Sequence, residues 1–343
     1  MRIDFEGVSY SYTDPEKQEK RKKRTKKRRD AGVIEGSASL EEHGKADWGT
    51  DPEAVWAIRD ISFTLEEGEF LGIAGHTGSG KSTLIQHMNG LVHPTTGRVL
   101  VDGADLADKE VAQAFRGKVG LVFQYAENQL FAETVREDVA FGPKNLGVPE
   151  DQLDERVRKA LADVQLDVEK IGDKSPFELS GGQQRRVAFA GVLAMEPEVL
   201  VLDEPVAGLD PASRKEFLGL IKNLHTQGRT VVMVSHDMDS LAQLCDRILV
   251  LNAGRLFALG TPTEVFSRGD ELRAIGLDVP APQKLACELR EEGFDLPREL
   301  YGTESLAEDL AKLYRAGAAD GSAGANCADY TANTKREGDS NGR

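Results

Sequence analysis

Apolar and polar residues alternate at the start of the chain. Ile3 and Phe5 are interleaved with Arg2, Asp4 and Glu6, and Ile61, Phe63 and Leu65 repeat the pattern. A period of two places one face of an extended segment on a core and the other in solvent, so both stretches predict half-buried strands. Turn chemistry follows at Glu67-Gly68, and again at Asp102-Gly103 after Val99–Val101. From Phe70 the pattern changes. Phe70–Ala74, Val119–Phe123, Val199–Leu202 and Val231–Val234 are short continuous apolar runs, as expected for parallel strands covered on both faces. Helical spacing lies between them, at Leu84, Ile85 and Met88 and at Leu153, Val157, Leu161 and Val164. Ile248–Leu251 and Arg255–Leu259 flank Asn252-Ala253-Gly254 and predict a hairpin. Strands alternating with helices imply an α/β layered fold.

After Thr261 the spacing is helical again. Leu285 and Leu289 mark one face, and Leu306, Leu310 and Leu313 another, with Ser305 and Glu308 at capping-box spacing before the second. Two stretches lack any apolar period. Residues 14–53 are polar, and Lys17 to Arg29 is almost continuous Lys and Arg, which predicts a disordered, solvated basic insertion in a strand-to-strand loop. Anionic lipid or RNA is the alternative role for that run. Residues 317–343 predict a disordered tail. The expected domains are 1–270, containing a helical subdomain at about 125–190, then a helical region at 271–316 that is a candidate dimerisation element.

Charge and cysteine usage narrow the chemistry. A net charge of −15 over 343 residues argues against a general nucleic-acid coat, so a polyanion needs a local electropositive pocket. Cys245, Cys287 and Cys327 form no CxxC pair, which argues against a zinc site or a disulfide framework. No apolar run reaches the ~18–20 residues that span a bilayer, and Met1–Val8 reads as a strand and not as a signal peptide. Work at a membrane would need a partner that supplies the spans.

Three strings carry the chemistry. Gly75-His76-Thr77-Gly78-Ser79-Gly80-Lys81-Ser82, with Thr83 next, fits the P-loop spacing and sits between an apolar strand and a helical pattern. The glycines let backbone N–H groups turn inward around phosphate, the helix start adds positive potential, Lys81 reaches the β- and γ-phosphates, and Ser82 ligates Mg²⁺. Val199–Leu202 ends in Asp203-Glu204. Asp203 is the candidate Mg²⁺ ligand, and Glu204 the candidate general base. In Leu179-Ser180-Gly181-Gly182-Gln183, Ser180 and Gln183 have capping-box spacing, and two glycines at a helix start expose N–H groups to an anion.

That last string resembles the signature sequence of ABC ATPases. The resemblance implies an ABC-type P-loop NTPase: a mostly parallel central sheet, an N-terminal antiparallel β subdomain, a helical signature subdomain and a small C-terminal helical region. In that family the signature of one subunit closes over the γ-phosphate held by the other. It also implies that Gln124 is the Q-loop glutamine, near Mg²⁺ and water, that Ala207-Gly208-Leu209-Asp210 is the D-loop, and that His236 is the switch histidine beside Glu204. Tyr12 matches the aromatic that stacks on adenine, with Tyr10 as its competitor. Val206 departs from the Thr common after Glu-Pro.

A narrower likeness rests on Gly75-His76-Thr77-Gly78-Ser79-Gly80-Lys81, Phe123-Gln124-Tyr125-Ala126-Glu127-Asn128-Gln129-Leu130-Phe131, Gly181–Val187, Ala190–Met195 and Gly276-Leu277-Asp278-Val279-Pro280. These look like the second ATPase of energy-coupling-factor transporters. The implied cofactors are ATP and Mg²⁺. The implied partners are a second, non-identical ATPase, a transmembrane coupling protein and a substrate-binding membrane subunit, with no specific nucleic acid. The expected place is the cytoplasmic face of the cell membrane, and the expected cargo a vitamin or transition-metal ion. The alternatives are the ATPase of a conventional ABC importer and a soluble ABC protein acting on nucleic acid or ribosomes.

Overall fold

The computed structural model describes residues 1–12, 56–297 and 300–319. The basic insertion and the tail beyond Ala319 lie outside the described residues. The strands are β1 Ile3–Ser11, β2 Trp56–Leu65, β3 Phe70–Ala74, β4 Thr96–Val101, β5 Ala104–Asp105, β6 Val119–Val122, β7 Val199–Asp203, β8 Thr230–Val234, β9 Arg247–Asn252 and β10 Arg255–Gly260. The helices of the first part are α1 Lys81–Met88, α2 Lys109–Phe115, α3 Val135–Asn145, α4 Glu150–Asp163, α5 Val168–Ile171, α6 Gly181–Leu193 and α7 Pro211–Thr226. Those that follow are α8 Met238–Leu244, α9 Pro262–Phe266, α10 Gly269–Ala274, α11 Ala281–Glu291 and α12 Thr303–Ala319.

The two periodicities sort the strands into two sheets. The alternating strands form an antiparallel sheet in the order β2-β1-β4-β5. The continuous apolar strands form a second sheet, β10-β9-β3-β8-β7-β6. It is parallel from β9 to β6, with β10 paired antiparallel at its edge. Every residue of β3 and β8 is buried, which is why their sequences show no alternation. Both sheets feed one core through Ile3, Phe5, Leu71, Ile73, Val201 and Leu249. Strand β6 stops at Val122, so Phe123 and Gln124 belong to the loop after it.

The chain divides into two compact units: Met1–His236 with Cys245–Thr261, and Asp237–Leu244 with everything from Pro262 on. The division therefore falls at Thr261, whereas the sequence pattern places it near residue 270. Ala286, Leu296, Leu300 and Leu306 make the small core of the second unit. The buried side of α11 runs through Pro282 and Ala286 and leaves Leu285 exposed. Helix α12 starts two residues ahead of Ser305, because the carbonyl of Gly302 already accepts from the Leu306 N–H. Ser305 thus lies inside the first turn and not at a capping-box position, and the helix runs past Gly317.

Candidate functional site

The phosphate-binding loop is held between a fully buried strand and the start of α1. Gly80 occupies the N-cap of α1 in the left-handed region (φ 102°), with no side chain capping the first turn. A β-carbon there would lie 2.6 Å from the Ala57 carbonyl, and one at Gly75 would lie 2.4 Å from Ser79 Oγ. Side chains are thus excluded from the cradle, and the first-turn N–H groups remain available to an anion. Ser79 is fully buried, and its Oγ has no partner. Lys81 Nζ donates to the loop's own carbonyls, Gly75 O at 2.6 Å and His76 O at 3.0 Å. Burial pulls the Lys81 ammonium below the usual lysine range, and the charges of Glu204 and Asp203 offset this only in part. His76 contacts Thr77 O (2.7 Å) and Asn252 Oδ1 (3.2 Å), so its ring is fixed outside the cradle.

The acidic pair is delivered by β7. Asp203 is its last residue, in register with Val234 of β8. Burial raises the Asp203 carboxyl above the usual range; Glu204 adds to this and Lys81 opposes it. Glu204 sits in the left-handed region (φ 50°), with its N–H donated to Val234 O at 3.0 Å. That turn aims its half-buried carboxylate at His236, whose Nδ1 is 2.8 Å from Glu204 Oε2. The structure therefore gathers Lys81, Asp203, Glu204 and His236 at the carboxyl ends of β3, β7 and β8. Gln124 is exposed, and Tyr125 after it adopts φ 57°.

Around the first turn of α1, Tyr12 Oη is 2.9 Å from Thr83 Oγ1 and the Tyr12 ring is 63% exposed. Tyr10 instead packs edge-on against His87, ring centroids 5.1 Å apart. Of the two competitors, Tyr12 presents the ring that a planar base can reach.

Ser180 caps α6 in a reciprocal box: its Oγ accepts from Gln183 N at 3.4 Å, and its own N–H donates to Gln183 Oε1 at 3.1 Å. Gly181 and Gly182 have nothing near enough for a β-carbon to touch. A groove of about 320 Å³ beside this helix start is lined by Ser180, Gly182, Gln183, Arg186, Leu209 and Glu216 among others, with no residue of the P-loop. Among the described residues no hydrogen bond joins Ser180–Gln183 to the P-loop. Asp210 caps α7, accepting from Ala212 N (3.0 Å), Ser213 N (3.1 Å) and Ser213 Oγ (2.6 Å).

One residue escaped the sequence reading. Arg185 is buried on α6 and paired with Glu127, 58 residues away. It falls within the Gly181–Val187 string that carries the family likeness, but no local pattern reveals its partner.

The donor set suits Mg²⁺. No cluster of three or more His, Cys, Asp or Glu side chains that could hold a metal occurs among the described residues. Mg²⁺ takes one or two protein oxygens and completes its shell with water and phosphate. Asp203 and Glu204 leave buried negative charge that Lys81 only partly balances, which a divalent cation would offset.

A P-loop, an acidic strand end with an adjoining histidine, and a second glycine-bearing helix start define an ABC-type ATPase. Residues 58–207 match the ABC transporter family. The chain is 58% identical over 250 residues to the energy-coupling factor transporter ATP-binding protein EcfA2 of Symbiobacterium thermophilum, covering 73% of this chain and 86% of that one. It is 50% identical to EcfA2 of Clostridium tetani over 260 residues, covering 75% and 90%. Among solved structures it is similar to cbiO1 from Clostridium perfringens, described as part of the ABC transporter complex cbiONQ (33% identity, TM-score 0.61, 80% of this chain and 93% of that one). It is also similar to the ATP-binding cassette MJ0796 in a dimeric, post-hydrolysis state bound to ADP and Pi (26% identity, TM-score 0.57, 76% and 98%). The chain belongs to the ATP-binding proteins of energy-coupling factor transporters. It is an ATPase that powers import, and it is associated with a membrane although no helix among the described residues is long and apolar enough to cross one.

Proposed function

We propose that this chain forms a dimer with a second, non-identical ATPase, and that each subunit's signature helix closes on the nucleotide held by the other's P-loop. The observation that carries this reading is the start of α6. Gly181 and Gly182 there have nothing within 4 Å of a built β-carbon, the Ser180 cap goes to Gln183 N, and no P-loop residue lines the adjoining groove. A helix start suited to an anion, with no P-loop residue beside it in its own subunit, is accounted for by a nucleotide held on a second subunit.

In the closed state Lys81 exchanges the carbonyls of Gly75 and His76 for the β- and γ-phosphates, and its ammonium balances charge on the transferred group. Ser82, Gln124 and Asp203 would hold Mg²⁺, which supplies charge neutralisation between the phosphates. Glu204 accepts the proton of the water that attacks the γ-phosphorus, while the bond to ADP breaks. His236 keeps that carboxylate aimed. The exposed ring of Tyr12 stacks on adenine. Ser180 and the Gly181 and Gly182 N–H groups act on the partner's γ-phosphate, and Asp210 lies in the D-loop that crosses the dimer.

The dimer sits on the cytoplasmic face of the membrane, beneath a transmembrane coupling protein that engages a separate substrate-binding membrane subunit. Phe131 and Phe141, exposed yet packed edge-on with centroids 4.8 Å apart, give the helical subdomain an apolar face toward that protein. The cargo is a vitamin or a transition-metal ion.

The test is Glu204→Gln in the complex purified from detergent-solubilised membranes. The expected variant keeps ATP binding and accumulates a nucleotide-closed dimer. Its hydrolysis at the Glu204 site falls by about 10²–10⁴-fold. Turnover at the parent rate with the partner's site silenced refutes the base assignment. Isolation of the chain with no membrane subunit and no second ATPase refutes the assembly.

A further inference from the structure

Arg185 is only 5% exposed, yet it lies on the helix whose start we assign to the partner's phosphate. Its guanidinium serves two distant segments at once. Nε and Nη2 donate to Glu127 Oε2 (2.9 Å) and Oε1 (2.7 Å). Nη1 donates to Ala207 O at 2.7 Å and to Pro205 O at 3.4 Å. The first segment begins at Gln124; the second begins at Glu204. The ring of Tyr125, between Gln124 and Glu127, also lies beneath the guanidinium, 5.9 Å from its centroid.

A buried cation persists only where its donors are satisfied. A guanidinium can satisfy two edges in one plane, which an ammonium cannot. Here one edge holds the loop after Gln124 and the other holds the turn that carries the candidate base. That turn also closes on itself, since Ala207 N donates to Glu204 O at 3.1 Å. Glu204 is in the left-handed region, so its aim depends on what fixes the turn on either side. Val234 O fixes one side, and Arg185 fixes the other.

We propose that Arg185 is a positioning residue that links the two hydrolysis sites: the seating of α6 on one nucleotide sets the aim of Glu204 on the other. This rests on the reading of the signature in trans. A helix that shifts as its N-terminus engages phosphate carries Arg185 with it, and the carbonyls of Pro205 and Ala207 follow. Glu127 keeps the guanidinium flat against the turn, and the same Arg185 couples the Gln124 loop to that shift.

The experiment uses the assembled complex with the partner ATPase carrying a Gln at its own catalytic Glu, so that only Glu204 turns over. Arg185→Lys keeps the charge but not the two-edged fork. It is expected to lower kcat at least about tenfold with KM for MgATP within about twofold. A kcat within twofold of the parent overturns the proposal. So does a proportional change of kcat and KM that tracks a lowered thermal midpoint, since that is what loss of a purely structural ion pair gives. Should Arg185→Lys fail to fold, Glu127→Gln decides. It leaves the bonds to Pro205 and Ala207 but removes the carboxylate charge and one of the two acceptors on the other edge, and a fall in kcat of about threefold or more at unchanged KM is expected; an unchanged kcat overturns the proposal. Glu204→Gln in the same background separates the two readings. If that variant still hydrolyses ATP at the parent rate, the base assignment itself has failed; if it is inactive while Arg185→Lys keeps the parent kcat, only the role of Arg185 has failed.

Discussion

Asp203 shows how a site residue can work against the fold that holds it. Burial and the adjacent Glu204 raise its folded-state pKa above the unfolded value, so the charged form is disfavoured in the native state. The cost is present in full above the folded pKa. It is relieved as pH falls through that value, and it vanishes below the unfolded pKa, where both states are protonated. Asp203→Asn removes the charge and keeps the shape. The nucleotide-free variant is therefore expected to unfold at a higher temperature at pH 7, by about 2 °C, with hydrolysis lost. The gain should shrink as pH is lowered toward 4, measured by thermal melts across pH. A lower melting point for Asp203→Asn at pH 7 would show that the carboxylate is stabilised by its neighbours and not strained by them. Lys81 bears the matching burden, since burial lowers its pKa against the pull of the same two acids. A bound MgATP brings charge of both signs and relieves both groups.

At the scale of elements, the start of α6 separates stability from function. Ser180 and Gln183 satisfy each other's backbone, so Ser180→Ala should cost about 1 kcal/mol of stability. Gly181 has no neighbour within 4 Å of a built β-carbon, so Gly181→Ala should leave the thermal midpoint unchanged or raised. In the dimer proposed above the same methyl group would meet the partner's phosphate, and hydrolysis should fall at least about tenfold. Urea unfolding of the single chain and ATPase assays of the complex measure the two effects separately; parent activity in Gly181→Ala would remove the glycine N–H groups from the chemistry. This element was legible because capping chemistry is local: Ser, two glycines and Gln within four positions carry the whole signal. The buried strands were legible for the same kind of reason, as runs such as Val199–Leu202 have no polar position to expose. Their order was not, because β3 lies between β8 and β9 through pairings more than 150 residues apart in sequence. Local patterns also misled where context decides. Ser305 and Glu308 have the spacing of a box, but the Gly302 carbonyl had already started the helix. Arg185 failed to show itself because a buried arginine and a solvated one look alike until the carboxylate that pairs with it is known.

On the scale of the whole molecule, the C-terminal unit is more than an appendage to the ATPase. Its first piece, α8, is encoded between His236 and Cys245, inside the catalytic sequence. Within that unit Asp239 accepts from the Ala281 N–H at 2.8 Å, and Gln243 Nε2 donates to Tyr301 O at 3.1 Å. The chain thus leaves the catalytic unit directly after the candidate switch histidine, makes one helix of the other unit, and returns for β9. Cutting after Thr261 would keep the P-loop, the signature and the Asp203-Glu204 pair but remove the Ala281 and Tyr301 groups that bond to α8. Since only Asp237 separates His236 from α8, its reach toward Glu204 should loosen along with the helix. A chain ending at Thr261 is expected to bind ATP near the parent affinity, because Lys81 and the loop glycines are untouched. Its melting point should fall by several degrees, and kcat should fall more than KM changes. The contrast with His236→Ala in the full-length chain assigns the cause. If the truncated chain loses activity and His236→Ala does not, the C-terminal unit acts on hydrolysis by a route other than the histidine. If both lose kcat to a similar degree while only the truncation melts early, α8 anchors the histidine and the fold together. A truncated chain with parent stability and parent kcat would make the second unit dispensable to the catalytic one, despite the helix it takes from the middle of that sequence.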